Sequence, residues 1–300
     1  MRLGAHESIA GGIHRAFDRA AAVGCDAVQI FVKPNRSWAV PVLREEDVAL
    51  FRAKAVATSI RPVVAHTSYL LNLASPEHDL WRRSIDTLIA ELERCDLLGV
   101  PWLVLHPGAH VGTGEEAGLA RMTRALGRVL RATRSLNTQI LLETTAGQGT
   151  RLGYCFEHLQ WLLDQTDQGE RLGICLDTCH VFAAGYELRT ADGYSETMGT
   201  FDRVIGLDRL KVVHLNDSKR ELGTRKDRHE HIGEGCIGRA GFRHVLNDSR
   251  LAGLPGLLET PKSDDLHEDR KNLTVLRSLL EPALSADRPL SETTAEPPVD

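Results

Sequence analysis

Short apolar runs rich in branched residues recur along the chain, and most end in a histidine or an acid. Leu3–Ala5 is followed by His6, Pro62–Ala65 by His66, Trp102–Leu105 by His106 and Gln139–Leu142 by Glu143. Leu172–Leu176 runs into Asp177, Leu210–Val213 into His214 and Gly256–Leu258 into Glu259, while Ala27–Phe31 lacks such an ending. Runs of this length with no polar alternation predict strands buried on both faces, as in a parallel sheet. Helical periodicity fills the intervals: 11–23, 45–58, a long stretch ending near 98, 115–134, 155–163, a part of 195–206, 241–246 and 264–280. Eight strands and about eight helical crossovers predict a (β/α)₈ TIM barrel with its active site at the C-terminal mouth, one domain over residues 1–284. A doubly wound open sheet is the alternative. It ranks lower because an open sheet concentrates its site at one crevice, whereas a barrel gathers every strand end around one rim. Residues 285–300, rich in Pro, Ser, Thr and acid, are expected to form a disordered tail.

Composition narrows this only slightly. With 42% hydrophobic and 26% charged residues, the 300-residue chain has the make-up of an ordinary globular protein. No apolar run approaches the ~20 residues that span a bilayer. The start, MRLGAHES, leads straight into folded-looking sequence, so a cytoplasmic protein without membrane contact is expected. Six cysteines, none in a C-x-x-C pair, read as reduced thiols. A formal charge of −5 gives no notice of a nucleic-acid partner; such a partner would need a local basic face or bound cations.

The strand-end residues His66, His106, Glu143, Asp177, His214 and Glu259 change the picture. Taken alone, Asp177 with His180 three residues later could be a helix cap and a surface histidine. Six ionisable groups at the ends of buried strands in one barrel would be costly to bury unpaired, and divalent cations remove that cost. His180, Asp227 and His229 add three more imidazole or carboxylate donors. Nine N/O ligands exceed one tetrahedral site and point to a multinuclear cluster with a bridging carboxylate. His6, His110 and His231 are expected to support the ligands, and His14, His78, His158, His244 and His267 to lie on the surface.

Seven motifs carry a resemblance: HTSYLLNL (66–73), HPGAH (106–110), ETTAGQG (143–149), LDTCHVFAAGYELR (176–189), HLNDS (214–218), DRHEHIGEG (227–235) and LET (258–260). In this order, from GAHES at the start to the last strand, the chain resembles endonuclease IV, the zinc-dependent apurinic/apyrimidinic (AP) endonuclease family of base-excision repair. The resemblance implies three Zn²⁺ ions in a TIM barrel. One would be held by His66, His106 and Glu143, a second by Glu143, Asp177, His214 and Glu259, and the third by His180, Asp227 and His229. Mn²⁺ uses similar ligands, so the set does not fix the metal at every site.

The implied reaction is hydrolysis of the phosphodiester 5′ to an abasic site in double-stranded DNA, leaving a 3′-hydroxyl and a 5′-deoxyribose phosphate. Glu143 would orient a metal-bound hydroxide, and Glu259 would help deprotonate or position it. Arg36 matches the family's minor-groove arginine, and Tyr69 and Leu70 its wedge at the missing base. Unstacking is cheapest where a base is already absent, so the wedge itself selects damage. Pro34 and Asn35 depart from a common family version, which has Asn and Gln there. Lys219–Arg220 and Arg225–Lys226–Arg228 could hold phosphates or simply be solvated. A monomer is expected. Two other readings remain: a sugar isomerase or epimerase of the related barrel superfamily, and a metal-bound module that recognises lesions without cutting.

Overall fold

The computed structural model describes residues 1–281; the expected tail at 285–300 and the domain's last three residues lie outside them. Among the described residues eight parallel strands close a barrel: β1 (Arg2–Glu7), β2 (Ala27–Phe31), β3 (Val63–His66), β4 (Trp102–Leu105), β5 (Gln139–Glu143), β6 (Leu172–Asp177), β7 (Leu210–His214) and, after a two-stranded ribbon of β8 (Asp217–Ser218) and β9 (His229–Glu230), β10 (Pro255–Leu258). Each barrel strand pairs with its neighbours in sequence, and β10 closes onto β1 with Arg2 opposite Pro255. The open sheet is thereby excluded. The ring of helices is α1 (Arg15–Val23), α2 (Glu45–Thr58), α3 (His78–Leu98), α4 (Glu115–Ala132), α5 (Phe156–Gln165), α6 (Thr178–Ala184), α7 (Ala191–Val204), α8 (Gly238–Asn247) and α9 (His267–Ser278).

Two cores follow from strands buried on both faces. The larger lies between barrel and helices and includes Phe17, Phe51, Leu88, Phe156, Phe201 and Phe242. The smaller fills the barrel itself with Ala27, Val64, Val104, Leu141, Cys175, Val212 and Leu257, one from each strand except β1. On β1 the place is taken by Gly4, paired with Ala27; a Cβ there would land on the Ala27 carbonyl, so only glycine lets β1 and β2 approach.

Helix boundaries differ from the periodicity where backbone geometry intervenes. α1 begins at Arg15, not residue 11, because Gly11 and Gly12 have φ of 82° and 126° and cannot continue a right-handed helix. α6 has no counterpart in the apolar pattern, which is too short at seven residues to show a period. All six cysteines are free thiols. Among the described residues no helix is long and apolar enough to cross a membrane.

Candidate metal centre

Side chains alternate inward and outward along a strand. Two residues beyond each member of the barrel's apolar layer, toward the C-terminal mouth, stand Gln29, His66, His106, Glu143, Asp177, His214 and Glu259, and His6 stands two beyond Gly4. One period of the pleat therefore builds a polar ring on top of an apolar plug. Glu143, Asp177 and His214 are fully buried, while His106, His229 and Glu259 are partly open to the mouth.

The nine expected ligands come together in three groups. Donor atoms of His66, His106 and Glu143 lie within 4.8 Å of one another, as do those of Glu143, Asp177, His214 and Glu259, and those of His180, Asp227 and His229. Glu143 joins the first two. Its Oε2 is 3.1 Å from His66 Nε2 and 2.9 Å from His106 Nε2, and its Oε1 is 3.1 Å from His214 Nδ1. Asp227 Oδ1 sits 3.2 Å from His180 Nε2 and 3.4 Å from His229 Nε2.

Backbone carbonyls orient three of the rings. Nδ1 of His66 donates to Thr67 O (2.8 Å), that of His180 to Thr144 O (2.8 Å) and that of His229 to Glu259 O (3.0 Å). Each therefore turns Nε2 to the cluster, the arrangement that ligating histidines adopt. His214 is reversed: Nε2 donates to Gln29 Oε1 at 2.8 Å and Nδ1 faces the acids. Nε2 of His180 and of His229 are buried with no hydrogen-bond partner. Two orphaned imidazole nitrogens aimed at one carboxylate fit a cation between them, and a donor set without thiolate fits zinc or another N/O-binding divalent ion.

The electrostatics agree. Burial would raise the Glu143 carboxyl, but His106 and His214 hold it well below the usual range. Burial likewise works against the charged imidazoles of His180 and His214. Asp177 and Asp227 nevertheless raise His180, and Cys175 and Glu259 raise His214. The acids thus draw these two imidazoles toward the charged form, a demand for positive charge that divalent cations would meet by displacing the protons.

Asp177 serves twice. Oδ1 caps α6 by accepting from His180 N (2.9 Å), while Oδ2 accepts from Asn216 Nδ2 (2.6 Å) at the cluster. Asp177 is thus a helix cap, but the histidine three residues later is buried rather than at the surface. Three polar residues escaped the sequence pattern. Gln29 donates to Glu259 Oε1 (2.5 Å) and accepts from His214; its only signal is being the polar residue at the inward phase of AVQIF. Asn216 holds Asp177 and also accepts from Glu259 N (2.7 Å). Asp217 accepts from the backbone N–H groups of Ser218, Gly233, Gly235, Ile237 and Gly238, folding the loop after β9.

Among the supporting histidines, His6 Nδ1 lies 2.9 Å from Gln29 Nε2 and 3.5 Å from Glu259. His231 reaches Thr260 through Asn272. His110 does something else: its Nδ1 accepts from Gly114 N ahead of α4. His158 is buried rather than at the surface, its Nδ1 accepting from Gly153 N at 3.2 Å. At the rim, Arg36 is exposed, Tyr69 is 65% exposed with its ring 5.8 Å from that of His66, and Leu70 is half-buried. A cavity of about 210 Å³ runs between Tyr69, Leu70, His106 and Arg151. The basic residues Lys219, Arg220, Arg225, Lys226 and Arg228 are exposed, and Arg228 reaches Gln148, whose Oε1 also accepts from Asp227 N.

Comparison with known proteins decides the family. Residues 17–279 match the family model described as xylose isomerase-like TIM barrel. The probable endonuclease 4 of Chloroflexus aurantiacus is 54% identical over 282 residues, 94% of this chain and 99% of the relative. The chain belongs to the endonuclease IV family. The crystal structure of endonuclease IV from Thermus thermophilus superposes with a TM-score of 0.82 at 41% identity, covering 93% of this chain and 98% of that one. A D-tagatose 3-epimerase-like protein shares the fold at a TM-score of 0.71, with 19% identity and 93% and 98% coverage. At that identity the likeness shows the fold alone, whereas the relationship to endonuclease IV is carried by the sequence itself, at 41% and 54% identity.

Proposed function

We propose that this nuclease of the endonuclease IV family repairs DNA by hydrolysing the phosphodiester 5′ to an abasic site in a duplex, leaving a 3′-hydroxyl and a 5′-deoxyribose phosphate. The observation that carries the reading is the convergence of nine imidazole and carboxylate donors in three groups, two of which share Glu143. His66, His106 and Glu143 would hold one zinc ion, Glu143, Asp177, His214 and Glu259 a second, and His180, Asp227 and His229 a third. Mn²⁺ would compete where zinc is scarce. Bound divalent cations supply Lewis acidity toward phosphoryl oxygens and lower the pKa of water toward ~7.

The chain's own residues do the rest. Glu143 spans the first two groups and orients the attacking water. Glu259, fixed through Oε1 by Gln29, positions that water and takes up its proton. Tyr69 and Leu70 enter the stack at the missing base, and Arg36 lies along the minor groove. Exposure of Tyr69 and Arg36 at the rim supports those roles. The enzyme acts as a cytoplasmic monomer in this reading.

The test is a duplex with a single abasic analogue, combined with metal analysis. About three metal ions per chain are expected, with nicking that leaves 3′-hydroxyl ends. Glu259→Gln should lower kcat by about 10²–10⁴. Equal nicking after exhaustive chelation overturns the mechanism.

A further inference from the structure

Outside the metal centre, one charged pair is as deeply buried as any ligand. Lys33 and Glu91 are 1% and 0% exposed, with Nζ 3.5 Å from Oε1. Lys33 follows β2 and opens the loop to α2; Glu91 lies in the middle of α3. Neither belongs to the three donor groups.

Their remaining partners are specific. Lys33 Nζ donates to Ser37 O (2.5 Å) and Pro34 O (3.4 Å), and with the ion-pair contact to Glu91 three oxygens surround the ammonium. Those two carbonyls bracket Arg36. Glu91 accepts from Ser68 N with both oxygens (3.4 Å each), and Ser68 directly precedes Tyr69. Ser68 Oγ then donates to Asn35 O (2.7 Å) and accepts from Leu70 N (3.3 Å). The same face of α3 holds the rest of the first loop. Arg94 Nε donates to Val32 O (2.7 Å), Arg94 also reaches Pro41 O, and Arg83 lies over the Trp38 ring at 4.5 Å.

Burying an ion pair gains little stability over an apolar pair, because desolvation offsets the attraction. Its geometric effect is larger: two rim loops are tied to one helix, the first through the ion pair and the second through the Glu91 carboxyl. We propose that Lys33 and Glu91 are positioning residues for substrate recognition, their ion pair fastening the Arg36 loop and the Tyr69–Leu70 loop to α3 so that both meet the duplex as one rigid unit. The proposal rests on the reading of those loops as DNA contacts, and the experiment separates the two.

Steady-state kinetics on the abasic duplex are measured for the metal-loaded enzyme and four variants. Arg36→Ala and Tyr69→Ala test the loops themselves. Lys33→Met/Glu91→Gln removes both charges and so avoids stranding one in the interior. Ser68→Ala removes the Oγ bonds to Asn35 O and Leu70 N and leaves the ion pair in place. The double variant should raise KM by about 10- to 100-fold, the scale for loss of positioning, with kcat within about twofold and metal content unchanged. Ser68→Ala should raise KM by a smaller factor in the same sense. If Arg36→Ala and Tyr69→Ala leave KM unchanged, the loops do not read DNA and the proposal falls with that reading. If those two raise KM while the double variant keeps the wild-type value, or loses kcat or metal instead, the positioning role alone is overturned. Where the double variant does not fold, Lys33→Met alone takes its place, because burial already pushes the Glu91 carboxyl up to about 7 and it can take up a proton; an unchanged KM there overturns the proposal.

Discussion

Replacing Asn216 with leucine isolates the part of the centre that the strand pattern does not contain. The carboxamide is fully buried, donates from Nδ2 to Asp177 Oδ2 at 2.6 Å and accepts at Oδ1 from Glu259 N at 2.7 Å. Leucine has a similar volume, so no large cavity opens. The substitution removes a hydrogen bond to a carboxylate, a loss of about 1.5–3 kcal/mol, and strands a backbone N–H, at about 1–3 kcal/mol. A total of about 2.5–6 kcal/mol is expected in urea unfolding of the chelated protein, read as a lower midpoint at constant slope. Asp177 and Glu259 lose the group that holds them in register. Zinc affinity, measured by competition with a chromophoric chelator, should therefore fall by about 10- to 100-fold. Asn216→Asp should be worse than leucine at neutral pH, because it sets a second carboxylate against Asp177. A loss below about 1 kcal/mol with zinc affinity intact refutes the reasoning, since the two bonds would then have carried neither stability nor ligand geometry.

Two further outcomes follow from the fold. Gly4→Ala drives a methyl into the Ala27 carbonyl where β1 and β2 pair, and should cost about 3 kcal/mol, read as a lower melting temperature; an unchanged melt means the two strands are not held this close. Burial pushes the Glu7 carboxyl up to about 7, Lys262 opposing and Asp269 adding to the shift. A carboxyl raised in the folded state keeps its contribution below the unfolded pKa of about 4.5 and loses it as pH rises through about 7. Glu7→Gln should therefore gain on wild type by up to about 3 kcal/mol between about pH 4.5 and 7.5 in urea unfolding, and a pH-independent difference would mean that the acid is solvated.

The barrel and most of its rim could be read directly from the residues. A buried parallel strand writes itself as a continuous apolar run, and the first polar residue after it must lie at the strand's exit. When seven strands do this with imidazoles and acids, the converging ring is already implied. His66, His106, Glu143, Asp177, His214 and Glu259 were legible for that reason, since a period of two residues is a local property. His180 was legible only as a spacing, because its helix is too short to show a period. Gln29 holds the same inward phase, but it is an amide inside an apolar run that lacks the histidine or acid ending the other seven.

Only the tertiary structure decided which nitrogen His66, His180 and His229 present, because carbonyls of Thr67, Thr144 and Glu259 choose it through the folded backbone. The same holds for the loop that carries Asp227 and His229. Its place depends on the side chains of Gln148 and Asp217, and their hydrogen bonds leave no periodic trace. The sequence determined what converges at the mouth, since hydrophobic burial follows local patterning. Contacts between segments far apart in the chain determined how most of these groups are aimed, because a hydrogen bond's direction depends on where both partners have been carried.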